Sequence, residues 1–161
     1  MSFLETLQAS PIAEWVRDSD YGYYIVLAGH AVGMGVVAGA MLMLALRVYG
    51  FARTSSILIF DRLFSIAWLG FVLNAITGVV LFTSNAERLV TNAAFLIKLG
   101  LIVVGGFAGW ALWRAVQAEL TEFEAAGVGS SRLKALAALT ALLWTAAIVA
   151  GRIIGYTIRY S

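Results

Sequence analysis

Four long apolar runs constrain the fold of this chain more than any other feature of its sequence. Each run is at least as long as the ~20 residues that an α-helix needs to cross the hydrocarbon core of a bilayer. The 161-residue chain is 61% hydrophobic and only 12% charged, whereas soluble domains are about one-quarter charged. The sequence therefore predicts four transmembrane helices, at residues 22–46, 63–83, 92–115 and 133–158.

The segments between the runs are short, and short joins place consecutive helices antiparallel to each other. The predicted fold class is all-α, with residues 22–161 forming a four-transmembrane-helix bundle. Residues 1–21 form a separate N-terminal segment, in which Ser10 and Pro11 match a helix N-cap followed by proline at the first helical position. Apolar and acidic residues alternate irregularly along this segment, which predicts a short amphipathic helix lying at the membrane interface.

Basic residues beside the runs predict how the bundle is oriented. Six of them flank the first and third joins, whereas three lie on the opposite side, and cytoplasmic loops are the ones enriched in Lys and Arg. The six are Arg47, Arg53, Arg62, Arg114, Arg132 and Lys134, and the three are Arg17, Arg88 and Arg159. We therefore expect a multi-pass protein of the bacterial inner membrane with both termini in the periplasm.

The composition also excludes several kinds of site. The chain has no cysteine, so it contains no disulfide and no thiolate ligand, and it has a single histidine, His30. Its net charge of +2 is too small and too scattered to indicate a nucleic-acid partner. The five tryptophans are interpreted as interfacial or packing residues.

Polar side chains inside the runs occur at matching depths. Each run places one of them six to nine residues from its outer end, which is ~8–14 Å below the outer boundary at the rise of an α-helix. The sequence therefore predicts a polar layer to which all four helices contribute. Its members are His30 in the first run, Asn74 and Thr77 in the second, Lys98 in the third, and Arg152 and Tyr156 in the fourth.

Two members of this layer are cationic, and the runs contain no Asp or Glu to neutralise them. Because an unpaired cation in the hydrocarbon costs a few kcal/mol, the layer favours either acids folding in from the outer edge, snorkelling to headgroups, or an anionic ligand. Haem b fits the last case, with His30 as the axial iron ligand and Arg152 and Lys98 towards the propionates. Asn74, Thr77 and Tyr156 would then supply hydrogen bonds around the ligand.

Glycines near the histidine leave room for a close neighbour. Gly29 and Gly33 form one pair of small residues at four-residue spacing, and Gly35 and Gly39 form another. Such pairs admit either a neighbouring helix backbone or a flat ring. Because one chain has one histidine, the iron would be five-coordinate, take a different second ligand, or share a histidine from a second copy or another subunit.

Four segments of the sequence resemble a family of bacterial four-span membrane proteins without a settled biochemical role. The segments are GHAVGMGVVAGAMLMLALRVYG, WLGFVLNAITGVVLF, NAAFLIKLGLIVV and AGRIIGY, and the likeness extends over nearly the whole chain from residue 22. Its strongest elements are His30, Arg47, Thr77 with Gly78, Lys98, and Gly151 with Arg152. More distantly, the pattern is similar to four-helix cytochromes b and copper-resistance membrane proteins.

Two functions remain open from the sequence. The first is binding of one b-type haem in the outer half of the bundle, for electron transfer or another haem-dependent role, within an oligomer or a larger complex. The second is a cofactor-free accessory or structural subunit that binds membrane lipid or a quinone at the same polar layer. Hydrolytic catalysis is disfavoured because the runs offer no carboxylate base and no cluster of metal ligands.

Overall fold

The computed structural model describes residues 3–53 and 58–157, with the side chains of residues 58 and 59 excepted. All regular structure within these residues is α-helical, in eight helices. They are α1 (Phe3–Gln8), α2 (Pro11–Asp18), α3 (Gly22–Val48), α4 (Leu58–Ser84), α5 (Ala86–Val90), α6 (Ala93–Ala118), α7 (Leu120–Ala126) and α8 (Ser131–Thr157). The four long ones are apolar and long enough to cross a membrane, so the predicted all-α bundle of four transmembrane helices is confirmed.

The long helices start and end close to the predicted bounds, with differences at the termini. Helix α4 begins five residues earlier than predicted, and its first turn contains Asp61. The last residue of the fourth predicted span, residue 158, lies outside the described part of the chain. Two of the joins are themselves partly helical, as α5 and α7, which the sequence did not predict.

The N-terminal segment folds into two short helices rather than one. Ser10 caps α2 as predicted, because its Oγ accepts a hydrogen bond from the Ala13 amide at 3.3 Å and Pro11 occupies the first turn. Ala13 and Val16 are fully buried, and α1 and α2 pack against α3, α4 and α5 at the ends of the long helices. This segment therefore covers the end of the bundle at which α3 begins and α4 ends.

The four long helices pack in the spatial order α4, α3, α8, α6. Helices α3 and α4 form one antiparallel pair, α6 and α8 form the other, and the contact between α3 and α8 joins the two pairs. Along their middles, the described residues of α4 and α6 do not pack closely, although these helices follow each other in the chain. The bundle is therefore open along one side.

Arg47 joins the loops at the opposite end of the bundle, where α3 ends and α8 begins. Its guanidinium donates to the carbonyls of Gly127 at 3.0 Å and Arg53 at 3.2 Å, and it lies 4.7 Å from the centre of the Phe123 ring. Gly127 ends α7 in the left-handed conformation that favours glycine. The loop after α3 and the loop before α8 are therefore attached to one buried cation.

Candidate functional site

His30 of α3 lies against α4. Its Nδ1 atom is 3.0 Å from the backbone carbonyl oxygen of Asn74 and 3.2 Å from Oγ1 of Thr77. A carbonyl oxygen can only accept a hydrogen bond, so Nδ1 of the histidine is the nitrogen that bears the proton. The Thr77 hydroxyl donates to the Leu73 carbonyl at 2.7 Å, and its oxygen is free to accept from Nδ1 as well.

Lys98 of α6 reaches the other nitrogen of the same ring. Its Nζ is 3.0 Å from His30 Nε2, and because Nδ1 bears the proton, Nε2 offers a lone pair to the ammonium. Gly151 of α8 leaves space for the lysine side chain, because a Cβ at this position would lie only 3.3 Å from Lys98 Nζ. The pair therefore bridges the bundle diagonally from α3 to α6.

Asn74 makes hydrogen bonds to both the backbone and the ring of His30. Its Nδ2 donates to the His30 carbonyl at 2.8 Å, while its own carbonyl accepts from the His30 ring. The two helices can approach this closely because Gly33 of α3 lies directly on α4. A Cβ there would be 2.7 Å from the Asn74 amide nitrogen and 2.8 Å from the Gly70 carbonyl oxygen.

The structure thus brings together four of the predicted polar residues, and we call His30, Asn74, Thr77 and Lys98 the His–Lys cluster. The fourth helix does not supply a polar side chain to it. Arg152 of α8 is exposed, and its guanidinium lies 5.2 Å from the centre of the Tyr156 ring, which is also exposed. That Arg152 and Tyr156 face the same ligand as His30 stays a prediction.

The cluster has a positive charge with no described counter-ion. None of the described carboxylates lies within ion-pair distance of Lys98, and Asp18 instead pairs with Arg17 at 3.3 Å. An ammonium has three N–H donors, and among described groups only His30 Nε2 accepts one from Lys98. The cluster is therefore positively charged and offers hydrogen-bond donors inside the membrane-spanning part of the bundle.

This arrangement does not fit an axial haem ligand. Both nitrogens of His30 have partners, and Nε2 would bind iron only if Lys98 moved away. Gly33 packs on α4 and a Cβ at Gly78 would lie 3.1 Å from the imidazole, so these two glycines leave no room for a flat ring, whereas Cβ atoms at Gly35 and Gly39 would meet nothing within 4 Å.

A second feature was not predicted from the sequence. An apolar cavity of about 530 Å³ lies between the middles of α4 and α6, with α3 and α8 forming its back wall. Three of the tryptophans line it, Trp68, Trp110 and Trp144. The sequence did not show that these tryptophans share a cavity. Which residues line a cavity depends on how each helix is rotated about its own axis, and the tryptophans are spread evenly along apolar helices.

The fold and the cluster define a class: a multi-pass, all-α membrane protein with a cationic polar cluster inside its bundle. Comparisons with protein-family models, with curated proteins and with solved structures find no match to this chain. Within the described residues, no group of three or more His, Asp or Glu side chains is placed to hold a metal ion.

Proposed function

We propose that this protein binds the polar head of a membrane-soluble molecule, a quinone or a lipid, at the His–Lys cluster. The observation on which this rests is Lys98, whose ammonium lies in a membrane-spanning helix with one neutral hydrogen-bond partner among the described groups. The ligand offers what the cluster lacks, which is a hydrogen-bond acceptor with negative or partial negative charge. The protein would act as an accessory or structural subunit of a membrane complex or of a homo-oligomer.

The energetics favour such a ligand over an empty cluster. Insertion of a lysine at the centre of a membrane helix costs ~2.5–3.5 kcal/mol, and one hydrogen bond to a neutral group offsets only ~1.5–3 kcal/mol of that. Two N–H groups of the ammonium remain for other acceptors. A quinone carbonyl and a lipid phosphate or ester oxygen are both acceptors that occur in the membrane.

We also propose where the protein lies in the cell and how it is oriented in the membrane. The excess of basic residues at the inner joins favours the bacterial inner membrane with both termini in the periplasm. The His–Lys cluster then lies in the periplasmic half of the bilayer.

Reconstitution into lipid nanodiscs tests the proposal. Native mass spectrometry of the discs measures binding of decylubiquinone in one arm and retention of phosphatidylglycerol in the other. We expect Lys98→Met to lower the affinity for the bound species about tenfold or more, which corresponds to the loss of one charge-assisted hydrogen bond. Arg152→Met is the matched control, because it removes a cation from a neighbouring helix without touching the cluster, and it should bind like the wild type.

Two results would overturn the proposal. One is equal binding by wild type and Lys98→Met in both arms. The other is a Soret band in the purified protein that His30→Ala abolishes, which would make haem b the ligand and His30 its iron-binding residue.

A further inference from the structure

Helix α2 carries its apolar side chains on one half of its circumference. Successive residues of an α-helix are ~100° apart, so the position of each side chain around the helix follows from its number. One half of α2 is apolar and the other half is charged. In order around the helix, the apolar side chains are Trp15, Ile12, Val16 and Ala13, and the charged ones are Arg17, Glu14 and Asp18.

The bundle covers only part of this apolar half. Helix α2 packs on α3 and α4, and Ala13 and Val16 have no exposed surface. Ile12 and Trp15 belong to the same apolar half but are 57% and 49% exposed. The described part of the chain therefore leaves two large apolar side chains uncovered beside two that are fully buried, and we call Ile12 and Trp15 the uncovered pair.

The uncovered pair lies at the level where the first membrane-spanning helix begins. A Cβ at Gly22, the first residue of α3, would be 2.6 Å from the Trp15 carbonyl oxygen, and the Gly22 amide donates to Ser19 Oγ at 2.6 Å. In the first turn of α3, Tyr24 and Ile25 are 69% and 61% exposed. Because α3 spans the membrane, its exposed apolar side chains contact lipid, and the uncovered surface of α2 lies at the edge of this lipid-facing surface.

The charges of the N-terminal segment do not attract it to a membrane. Residues 1–21 contain four acidic side chains and one basic side chain, whereas anionic headgroups attract segments rich in Lys and Arg. Burial of apolar surface is the other force that holds an amphipathic helix at a bilayer, and tryptophan is enriched at the interface. Any contact of α2 with lipid is therefore apolar and is made through the uncovered pair.

We infer that the uncovered pair inserts into the bilayer at the end of the bundle where α3 begins, among the glycerol groups and upper acyl chains of phospholipids. Helix α2 is then held between the bundle and the lipid, with Arg17, Glu14 and Asp18 towards water. An interfacial helix usually places its whole apolar face in lipid, but here the bundle already covers Ala13 and Val16.

Site-directed spin labelling tests this placement, since the chain has no cysteine of its own. The full chain is reconstituted into phosphatidylcholine vesicles with one labelled cysteine at a time. Electron paramagnetic resonance then measures collisions with oxygen, which concentrates in the hydrocarbon, and with nickel-EDDA, which stays in water. We expect the ratio of oxygen to nickel-EDDA collisions to be several-fold higher for Ile12→Cys and Trp15→Cys than for Glu14→Cys and Asp18→Cys, the matched controls on the charged half of the same helix.

Val104→Cys provides the reference for a side chain deep in lipid. Val104 lies near the middle of α6 and is 52% exposed, so its ratio should exceed that of the uncovered pair. Ile12→Cys replaces an exposed side chain and leaves the contact of α2 with the bundle intact. If Trp15→Cys does not fold, Ile12→Cys with Glu14→Cys decides the result.

Two results would overturn the placement. Nickel-EDDA access at the uncovered pair equal to that at Glu14→Cys and Asp18→Cys would mean that this surface lies in water. Low access of both reagents would mean that protein covers it, either a second copy of the chain or another subunit.

A second measurement separates apolar insertion from attraction by charge. The collision ratio of Ile12→Cys is measured again in vesicles that contain phosphatidylglycerol, at low and at high salt. Apolar insertion predicts the same ratio in every case, because salt screens only charged contacts. A ratio that rises with phosphatidylglycerol and falls with salt would show that headgroup charge holds the helix and would contradict the inference. Neither measurement depends on a ligand at the His–Lys cluster.

Discussion

Two glycines of α3, Gly33 and Gly35, are only two residues apart, but one packs tightly and the other faces open space. A Cβ at Gly33 would lie 2.7 Å from the Asn74 amide nitrogen, whereas a Cβ at Gly35 meets nothing within 4 Å. Gly33→Ala should therefore push α3 away from α4 and lower the free energy of unfolding by about 1–3 kcal/mol. Thermal unfolding in detergent, followed by circular dichroism, measures this difference.

Gly35→Ala is the control for that prediction. It makes the same chemical change on the same helix, and any gain in helix propensity of alanine over glycine is shared by both variants. We expect Gly35→Ala to melt at or above the temperature of the wild type. Equal melting temperatures for the two variants would contradict the close contact between α3 and α4.

At the residue scale, sequence reasoning identified most of the cluster because depth in the membrane follows from counting residues. His30, Asn74, Thr77 and Lys98 were predicted to share one level of the bundle, and in the structure they contact one another. Arg152 was predicted at the same level but is exposed, and counting residues along a helix does not specify the direction in which a side chain leaves it. The second partner of the histidine ring, Lys98, was expected near a propionate and instead contacts Nε2 directly.

Among the helices, Arg47 is the residue that ties separate elements together. The residue is 6% exposed, and its guanidinium donates to two loop carbonyls and lies over the ring of Phe123 of α7. Lysine keeps the charge but cannot donate to both carbonyls with the same planar geometry. We expect Arg47→Lys to lower the free energy of unfolding by about 2 kcal/mol, measured by denaturant titration in detergent micelles.

Arg114→Lys provides the comparison for Arg47→Lys. Arg114 also lies near an aromatic ring, with its guanidinium 5.6 Å from the centre of Trp110, but it is exposed. The exposed substitution should change the unfolding free energy by less than about 0.5 kcal/mol. A similar loss in both variants would mean that Arg47 does not hold the inner loops together.

The positions of the long helices were predictable because a membrane span requires a minimum apolar length. The order in which they pack was not, because all four are apolar around their whole circumference and carry no stripe that marks the buried face. The separation of α4 from α6 therefore came only from the structure. The short helices α5 and α7 were missed because they are only five and seven residues long, too short to show a helical period in the sequence.

For the whole molecule, the orientation in the membrane can be measured with cysteine labelling, since the chain has no cysteine of its own. Phe51 lies in the loop after α3 and Glu87 lies in α5 at the opposite end, and both are exposed. If the termini are periplasmic, a membrane-impermeant maleimide should label Glu87→Cys in intact cells and label Phe51→Cys only after lysis. The reverse pattern would place the termini in the cytoplasm and the His–Lys cluster in the cytoplasmic half of the bilayer.

Lys98 supplies the hydrogen-bond donor for a membrane-soluble acceptor, and the quinone and phospholipid retained by the purified protein test this most directly. Wild type, Lys98→Met and Arg152→Met are purified from the same membranes, extracted with organic solvent, and assayed for quinone and for phospholipid per protein chain. We expect one of the two to be retained at about one molecule per chain in the wild type and in Arg152→Met, with most of it lost from Lys98→Met. Equal content of both quinone and phospholipid in wild type and Lys98→Met would contradict this role of Lys98.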